Sequence, residues 1–294
     1  MSARHYTILS SRAVLEIGGA DRKTFLQGLV SSDATKVSPA RALHAAFLTA
    51  QGRFLHEFHM VELGEAILLD AEAARLDDLA KRLKLYKLRA KVTIAARPDL
   101  AAGAVWGEGA PAAFGLAAEE GAAKPEAGGV AFVDPRLAAL GVRAILPRER
   151  FAEIACAAGC ASAGEAAYDA LRISLGAPDG SRDLPVEDAL LLENGFDELH
   201  GVDWKKGCYV GQEVTARMKY RGLVKKRLVP VAIDGPVPAP GTRVTLDGEE
   251  AGEMRSSAGA MGLALLRLEA LAKQAPLRAG DATLVPKKPA WAGF

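Results

Sequence analysis

The sequence predicts an α+β chain that ends in a small β-barrel. Two patterns carry that prediction. Through roughly the first hundred residues, apolar spacing alternates between the two-residue period of strands and the longer period of helices, in the order strand–helix–strand–strand–helix–strand. After Arg227 the texture changes to short strands broken by Gly, Pro and Asp-Gly turns, a barrel-like pattern from about residue 225 onward. Composition agrees: of 294 residues, 50% are hydrophobic and 25% charged, a globular balance sufficient for two or three domains.

Tyr6 to Ile17 alternates as one strand, "YTILSSRAVLEI". Gly18-Gly19-Ala20-Asp21 is a turn, with Asp21 as N-cap of a helix carrying Phe25, Leu26 and Leu29. "ARALHAAFLTAQGRFLHEFHMVELGEAILLDAE" reads as three strands, broken at Gln51-Gly52-Arg53 and Leu63-Gly64-Glu65. "AARLDDLAKRLKLYKL" follows as a helix with Leu76, Leu79, Leu83 and Tyr86 on one face, and "KVTIAAR" closes the unit as a strand. Glu108 to Gly129 is rich in Ala, Gly and Pro and is expected to be a flexible loop without chemistry. Beyond it come a strand and two helical stretches, with Leu146-Pro147-Arg148-Glu149 at the entry of the first and Gly176 and Pro178 ending the second. Within the β-rich tail, Asp247-Gly248 between "RVTL" and "EEAGEM" marks a hairpin.

The net charge is +1, which exerts no global pull toward nucleic acid or anionic membrane, so any electrostatic signal must be local. One such signal is a sharp partition. The residues charged at neutral pH from Asp183 to Asp203 are acidic apart from Arg182's neighbour side, whereas those from Lys205 to Arg227 are basic apart from Glu213. This suits a ligand with an amidine-like ring edge at one end and carboxylates at the other; two solvated faces are the plainer alternative. No stretch offers about 20 apolar residues without charge, and the N-terminus lacks a secretory apolar core. The 3 cysteines make no disulfide framework and suit a reducing compartment. Cys156 and Cys160, four apart on an Ala-rich helix, are expected to be small core residues. His56 and His59 flank Glu57 on a strand, and no metal site is expected there or elsewhere.

The most informative cysteine is Cys208, in "KGCYVGQE". Gly207 and Gly211 allow a tight backbone and close ligand approach. "GQEVTARMKY" opens a short helix, and a thiol just before a helix start and beside Lys206 should be acidified and reactive. A buried, inert cysteine is the alternative.

"KGCYVGQEVTARMKYRG" resembles the signature of YgfZ-type folate-binding proteins, relatives of the glycine-cleavage T-protein (an aminomethyltransferase) that act in iron–sulfur cluster assembly and repair. "LRISLGAP…LPVE", "LHGVDWKKG" and "FLQGLVSSDAT…AAFLTAQGRFLHEF" are similar to other parts of the family, so the likeness runs over most of the chain and is sharpest in the signature. The resemblance implies a T-protein-like ring: two α+β units within residues 1–222, which bind tetrahydrofolate non-covalently, and a small β-barrel over 223–294. It implies Glu187 at the pterin's amidine-like edge, and Lys206, Arg217 and Arg221 at the anionic glutamyl end. Tyr209 and Gln212 complete the candidate folate-binding set, Tyr209 by stacking or packing and Gln212 by ligand contact or by capping the helix with Glu213. Cys208 would face the channel as a reactive thiol with a nucleophilic, redox or cluster-contacting role.

One departure bears on activity. T-proteins place an acidic pair after the early turn; here His56-Glu57 stands there. Glu57 is a candidate catalytic acid, but its longer arm reaches about 1.5 Å farther than Asp, a displacement able to cost about a hundredfold in rate. Three functions follow. The first is a folate-dependent accessory factor whose partners are iron–sulfur client or assembly proteins, with no specific nucleic acid and no membrane. The second is an aminomethyl or other one-carbon transferase. The third is a module that uses the basic segment to bind a protein or RNA. Expected location is the cytoplasm of a bacterium, or the mitochondrial matrix in a eukaryote.

Overall fold

The computed structural model describes residues 4–294. The chain forms two compact units that interleave along the sequence. One comprises the chain up to Leu48, Leu55–Tyr168 and His200–Val210; the other comprises Thr49–Phe54, Asp169–Leu199 and Gly211–Phe294.

The first unit holds two sheets. The five-stranded sheet has the order Leu43–Leu48, Phe54–Leu63, Ala66–Glu72, Arg12–Gly18, Thr93–Ala96. The six-stranded sheet has the order Ala161–Ser162, His5–Ile8, Leu100–Trp106, Val142–Pro147, Gly129–Val133, Ala123–Glu126. Val14, Val61 and Leu68 of the first sheet share a buried cluster with Val130, Phe132 and Ile145 of the second. Both faces of the strand Phe54–Leu63 are covered, because residues 54–62 are all buried and only Leu63 is not. That explains why the strand reads as a run with little clean alternation. Helix Leu76–Lys87 buries Leu79 and Leu83, as its spacing predicts, while Tyr86 on the same stripe is 41% exposed.

In the second unit a closed six-stranded barrel runs Lys226–Asp234, Met261–Arg267, Glu249–Ala258, Arg243–Leu246, Leu277–Ala279, Ala282–Pro286 and back to the first strand. Closure leaves no free sheet edge. Val231, Val244, Met254, Ala264, Leu266 and Leu284 fill its interior. Asp247 and Gly248 both take positive φ, 53° and 82°, the pairing that a two-residue primed turn needs. Asp183 ties the segment before the barrel to its wall. It accepts Arg172 Nη1 at 2.7 Å, Asp179 N at 2.8 Å, Ser256 N at 3.0 Å and Ser256 Oγ at 2.5 Å.

Several local expectations need correction. Tyr6 to Ile17 is two strands, His5–Ile8 and Arg12–Gly18, in different sheets, because the chain turns at Leu9–Ser11. Asp21 occupies the N-cap of helix Arg22–Gln27 but makes no side-chain cap; its carboxylate instead accepts Lys91 N at 2.7 Å. The segment read as a flexible loop holds helix Ala110–Ala113 and strand Ala123–Glu126, with Phe114 and Leu116 packed into the core. Cys160 is buried, but Cys156 is exposed, near Tyr6 Oη, because helix Phe151–Ala157 ends before the two cysteines can share a face. No helix among the described residues is long and apolar enough to cross a membrane.

Candidate functional site

Within the first unit, His200–Val210 is the last segment to arrive, and backbone bonds hold it. Asp203 N donates to Ser31 O at 3.0 Å and Val210 N to Gly28 O at 3.1 Å, while Ser31 Oγ donates to Gly201 O at 2.5 Å. Lys206 fastens the middle. Its ammonium donates to the carbonyls of Val30 and Ser32 and lies 5.0 Å from the Tyr209 ring centroid. Burial pulls the Lys206 amine down to about 8, since Asp33 and Asp203 only partly offset the loss of water. Tyr209 is buried beneath this cation, so it packs. Cys208 lies between these two anchored residues and is exposed. A side chain on Gly207 would meet nothing within 4 Å, so the space over this loop is open on that side. The loop is therefore a tethered backbone that displays a free thiol.

The remaining folate-binding candidates belong to the second unit. Helix Gln212–Tyr220 starts at Gly211, whose φ of 78° calls for glycine. Gly52 packs against this start: a Cβ there would come 2.7 Å from Gly211 O and 2.9 Å from Val214 Cβ. That contact explains the glycine in "QGR". Gln212 and Glu213 open the helix, and Glu213 complements the dipole. Glu213, Arg217 and Arg221 recur every four residues, so they share one face, and all three are exposed. Neither arginine has an ion-pair partner among the described residues, whereas Lys219 on the same helix pairs with Asp197.

Glu187 has an unusual backbone. Its φ is 61°, a left-handed conformation that a glutamate adopts at a cost of about 1–3 kcal/mol unless its surroundings impose it. Here they do: Glu187 N donates to Phe54 O at 2.8 Å, and Phe54 N donates to Ala189 O at 3.0 Å. Arg53 Nη1 adds a bond to Asp188 O at 2.6 Å. The hairpin Thr49–Phe54 thereby holds the 187–189 turn in place, with the Glu187 side chain exposed.

Glu57 belongs to a different setting. It is buried in the first unit, where Arg12 Nη1 donates to one carboxylate oxygen and His44 Nε2 lies 3.5 Å from the other. Burial pushes this carboxyl up, but Arg12 and the nearby histidines outweigh it and hold it well below the usual carboxylate range. Arg12 also donates through Nε to Asp70 at 2.8 Å, and Asp70 accepts Arg143 as well. Asp134 pairs with Arg136 at 2.7 Å, and His59 stands between Asp70 and Asp134 at 3.4 and 3.6 Å. Three guanidiniums thus face three carboxylates where the two sheets meet, and burial keeps His44 low and neutral. The sequence weighs His56 and His59 as metal ligands and Glu57 as a candidate catalytic acid, and does not show this network. Its signal was present: isolated Arg, His, Asp and Glu inside otherwise apolar strands. His56 points away from the network and pairs with Asp78 at 2.9 Å.

Comparison with known proteins fits this organisation. Residues 225–294 match the model "CAF17, C-terminal beta-barrel domain". The mouse (Mus musculus) mitochondrial iron–sulfur cluster assembly factor IBA57 is 33% identical, over 94% of this chain and 81% of its own. The human (Homo sapiens) protein of that name is 34% identical over the same shares. The chain belongs to the IBA57 family of iron–sulfur cluster assembly factors. In structure it superposes on the glycine cleavage aminomethyltransferase T of Bartonella henselae with a TM-score of 0.78. That match covers 99% of this chain and 86% of the other at 15% identity, which establishes a shared fold. The expected fold, α+β with a C-terminal barrel on a T-protein plan, is the one observed. The family these relatives show is IBA57; the sequence had suggested the YgfZ type.

Proposed function

We propose that this protein is a tetrahydrofolate-binding accessory factor in the assembly or repair of iron–sulfur proteins, with the Cys208 thiol as its reactive group. The observation that carries the reading is the Cys208 loop: the flanking residues are pinned by Lys206 and by backbone bonds, yet the thiol is exposed. A thiolate is the form that attacks or ligates, and access is its first requirement. The names of the relatives supply the iron–sulfur context and support a mitochondrial matrix location over a cytoplasmic one. Iron–sulfur assembly proteins or client enzymes are then the partners.

The donor set suits a folate. The exposed Glu187 carboxylate, on a backbone held against its own preference, would accept two parallel bonds from a pterin edge. Arg217 and Arg221 offer two exposed cations, without ion-pair partners among the described residues, for glutamyl carboxylates. Gln212 adds an amide at the start of the same helix. Lys206 and Tyr209 act differently: they hold the cysteine loop and leave folate contact to the others. Folate would supply a one-carbon or reduced-pterin carrier.

A transferase of the T-protein type is the competing reading. It needs a carboxylate that exchanges protons with substrate, whereas Glu57 is buried and held ionised by Arg12.

Thermal stabilisation by tetrahydrofolate tests the proposal in wild type, Glu187→Ala and Cys208→Ala. A ligand at about 100 times its dissociation constant adds about 2.7 kcal/mol. Wild type and Cys208→Ala should show that stabilisation and Glu187→Ala should lose it. Cys208→Ala should fail to restore cluster-dependent enzymes in a deletion strain. Absence of any shift at saturating folate refutes folate binding, and full rescue by Cys208→Ala refutes the thiol's role.

A further inference from the structure

The far end of helix Leu76–Lys87 and the residues after it carry a run of basic side chains. From Lys81 to Lys91 there are six basic residues and no acidic one: Lys81, Arg82, Lys84, Lys87, Arg89 and Lys91. Arg82 pairs with Asp78 at 2.8 Å. The other five are exposed and have no ion-pair partner among the described residues.

Apolar side chains stand among these cations. Leu85 is 70% exposed, Tyr86 41% and Leu88 89%, so three of the seven large exposed hydrophobics among the described residues fall within four positions. Scattered exposed leucines need no explanation, but a contiguous group marks a contact surface. Helical geometry sorts the group. Leu79 and Leu83 face the core, whereas Lys81, Lys84 and Leu85 share the outer face at spacings of three and four. Leu88 continues that face at the C-cap with a φ of 39°. A leucine there bears backbone strain, and no burial of its side chain offsets it.

We propose that this surface docks the protein reversibly on an anionic lipid bilayer, with Leu85 and Leu88 entering the interface and the five cations meeting headgroups. Lysine-rich rims around aliphatic anchors are the pattern of interfacial binding. Protein interfaces instead deplete lysine and enrich Arg and aromatic residues. Single-stranded nucleic acid calls for aromatic platforms, and the Tyr86 ring is already engaged edge-on with Phe47 at 5.9 Å. The chain's net charge of +1 does not oppose this, since the attraction acts within a Debye length of the patch. It revises the expectation of no membrane partner: docking on a surface needs no spanning helix.

The test is co-sedimentation of the full chain with vesicles of neutral phosphatidylcholine, alone or with about a third anionic phospholipid, the composition range over which surface potential develops. Binding is expected only to the anionic vesicles and should fall steeply with salt. Each near-surface lysine is worth about fivefold in partitioning, so Lys84→Gln/Lys87→Gln should weaken binding about thirtyfold. Leu85→Ser/Leu88→Ser should weaken it at least about tenfold with an unchanged thermal melt, because both side chains already face solvent. Equal binding to neutral vesicles, no binding to anionic ones, or binding indifferent to both double variants overturns the proposal. Retention on immobilised poly-glutamate without vesicle binding also overturns it and assigns the patch to an acidic protein.

Discussion

Replacing Glu57 with glutamine separates a structural carboxylate from a chemical one. The substitution preserves shape and one acceptor for Arg12 but removes a buried negative charge. Arg12 would then rely on Asp70, which it already shares with Arg143, so a buried surplus of positive charge results. Removing one member of a buried ion pair costs about 3–5 kcal/mol. The acceptor that glutamine keeps places this case near the lower end, about 3 kcal/mol. For a chain of this size each kcal/mol moves Tm by about 2–4 °C, so Glu57→Gln should melt about 6–12 °C below wild type. Asp78→Asn, at a pair whose carboxylate side chain is 39% exposed, is the control and should cost less than about 1 kcal/mol. Thermal melts and urea titrations at neutral pH read both. Below its melting range, Glu57→Gln should keep the folate-dependent stabilisation and its cellular activity. A variant that melts within about 2 °C of wild type yet loses activity would refute the structural reading and return Glu57 to the chemistry.

Three further outcomes follow from the same geometry. Asp183→Asn leaves Arg172 without its carboxylate and weakens bonds to Ser256 and Asp179, so it should cost about 3 kcal/mol, read as a lower urea midpoint. Burial and the neighbouring Arg75 pull His56 down to about 4, against the Asp78 carboxylate that favours the proton. Between about pH 6.5 and 4 the unfolded chain therefore takes up a proton that the folded chain refuses, and stability falls as the pH drops through that window, by up to about 1.4 kcal/mol per unit. Urea midpoints at the two ends of that window should converge for His56→Gln relative to wild type. Gly211→Ala forces a φ of 78° on an alanine and should destabilise by about 1–2 kcal/mol, whereas Gly207→Ala, in open space, should melt like wild type.

Periodicity made the early elements legible. The three strands from Leu43 to Glu72 lie where apolar runs and turn residues placed them, and the helix after them lies where its period placed it. The break between His5–Ile8 and Arg12–Gly18 was hidden, since the alternation continues through a tight turn that sends the chain from one sheet to another. Cys208 and its glycines stood out by composition. The roles of Lys206 and Tyr209 did not, because Val30 and Ser32, which tether Lys206, are about 175 residues away in sequence, and only the fold brings them together. The buried network was missed for the same reason. Apart from the local Asp134–Arg136 pair, its ions come from different strands, so no local window shows their partnership. The strain at Glu187 likewise depends on a hydrogen bond to Phe54, far upstream.

The order in which the chain fills its first unit has a consequence for synthesis. His200–Val210 completes that unit only after the other unit's whole central segment, Asp169–Leu199, has been translated. A ribosome must therefore deliver more than two-thirds of the polypeptide before the Ser31, Val30 and Ser32 acceptors meet Asp203 and Lys206. Fragments ending near Tyr168 lack the cysteine loop entirely, and either unit expressed as one continuous piece would omit part of itself. The cysteine loop is thus set in place late, and the rate at which Cys208 acquires its native reactivity toward a thiol reagent during refolding should report closure of these long-range contacts.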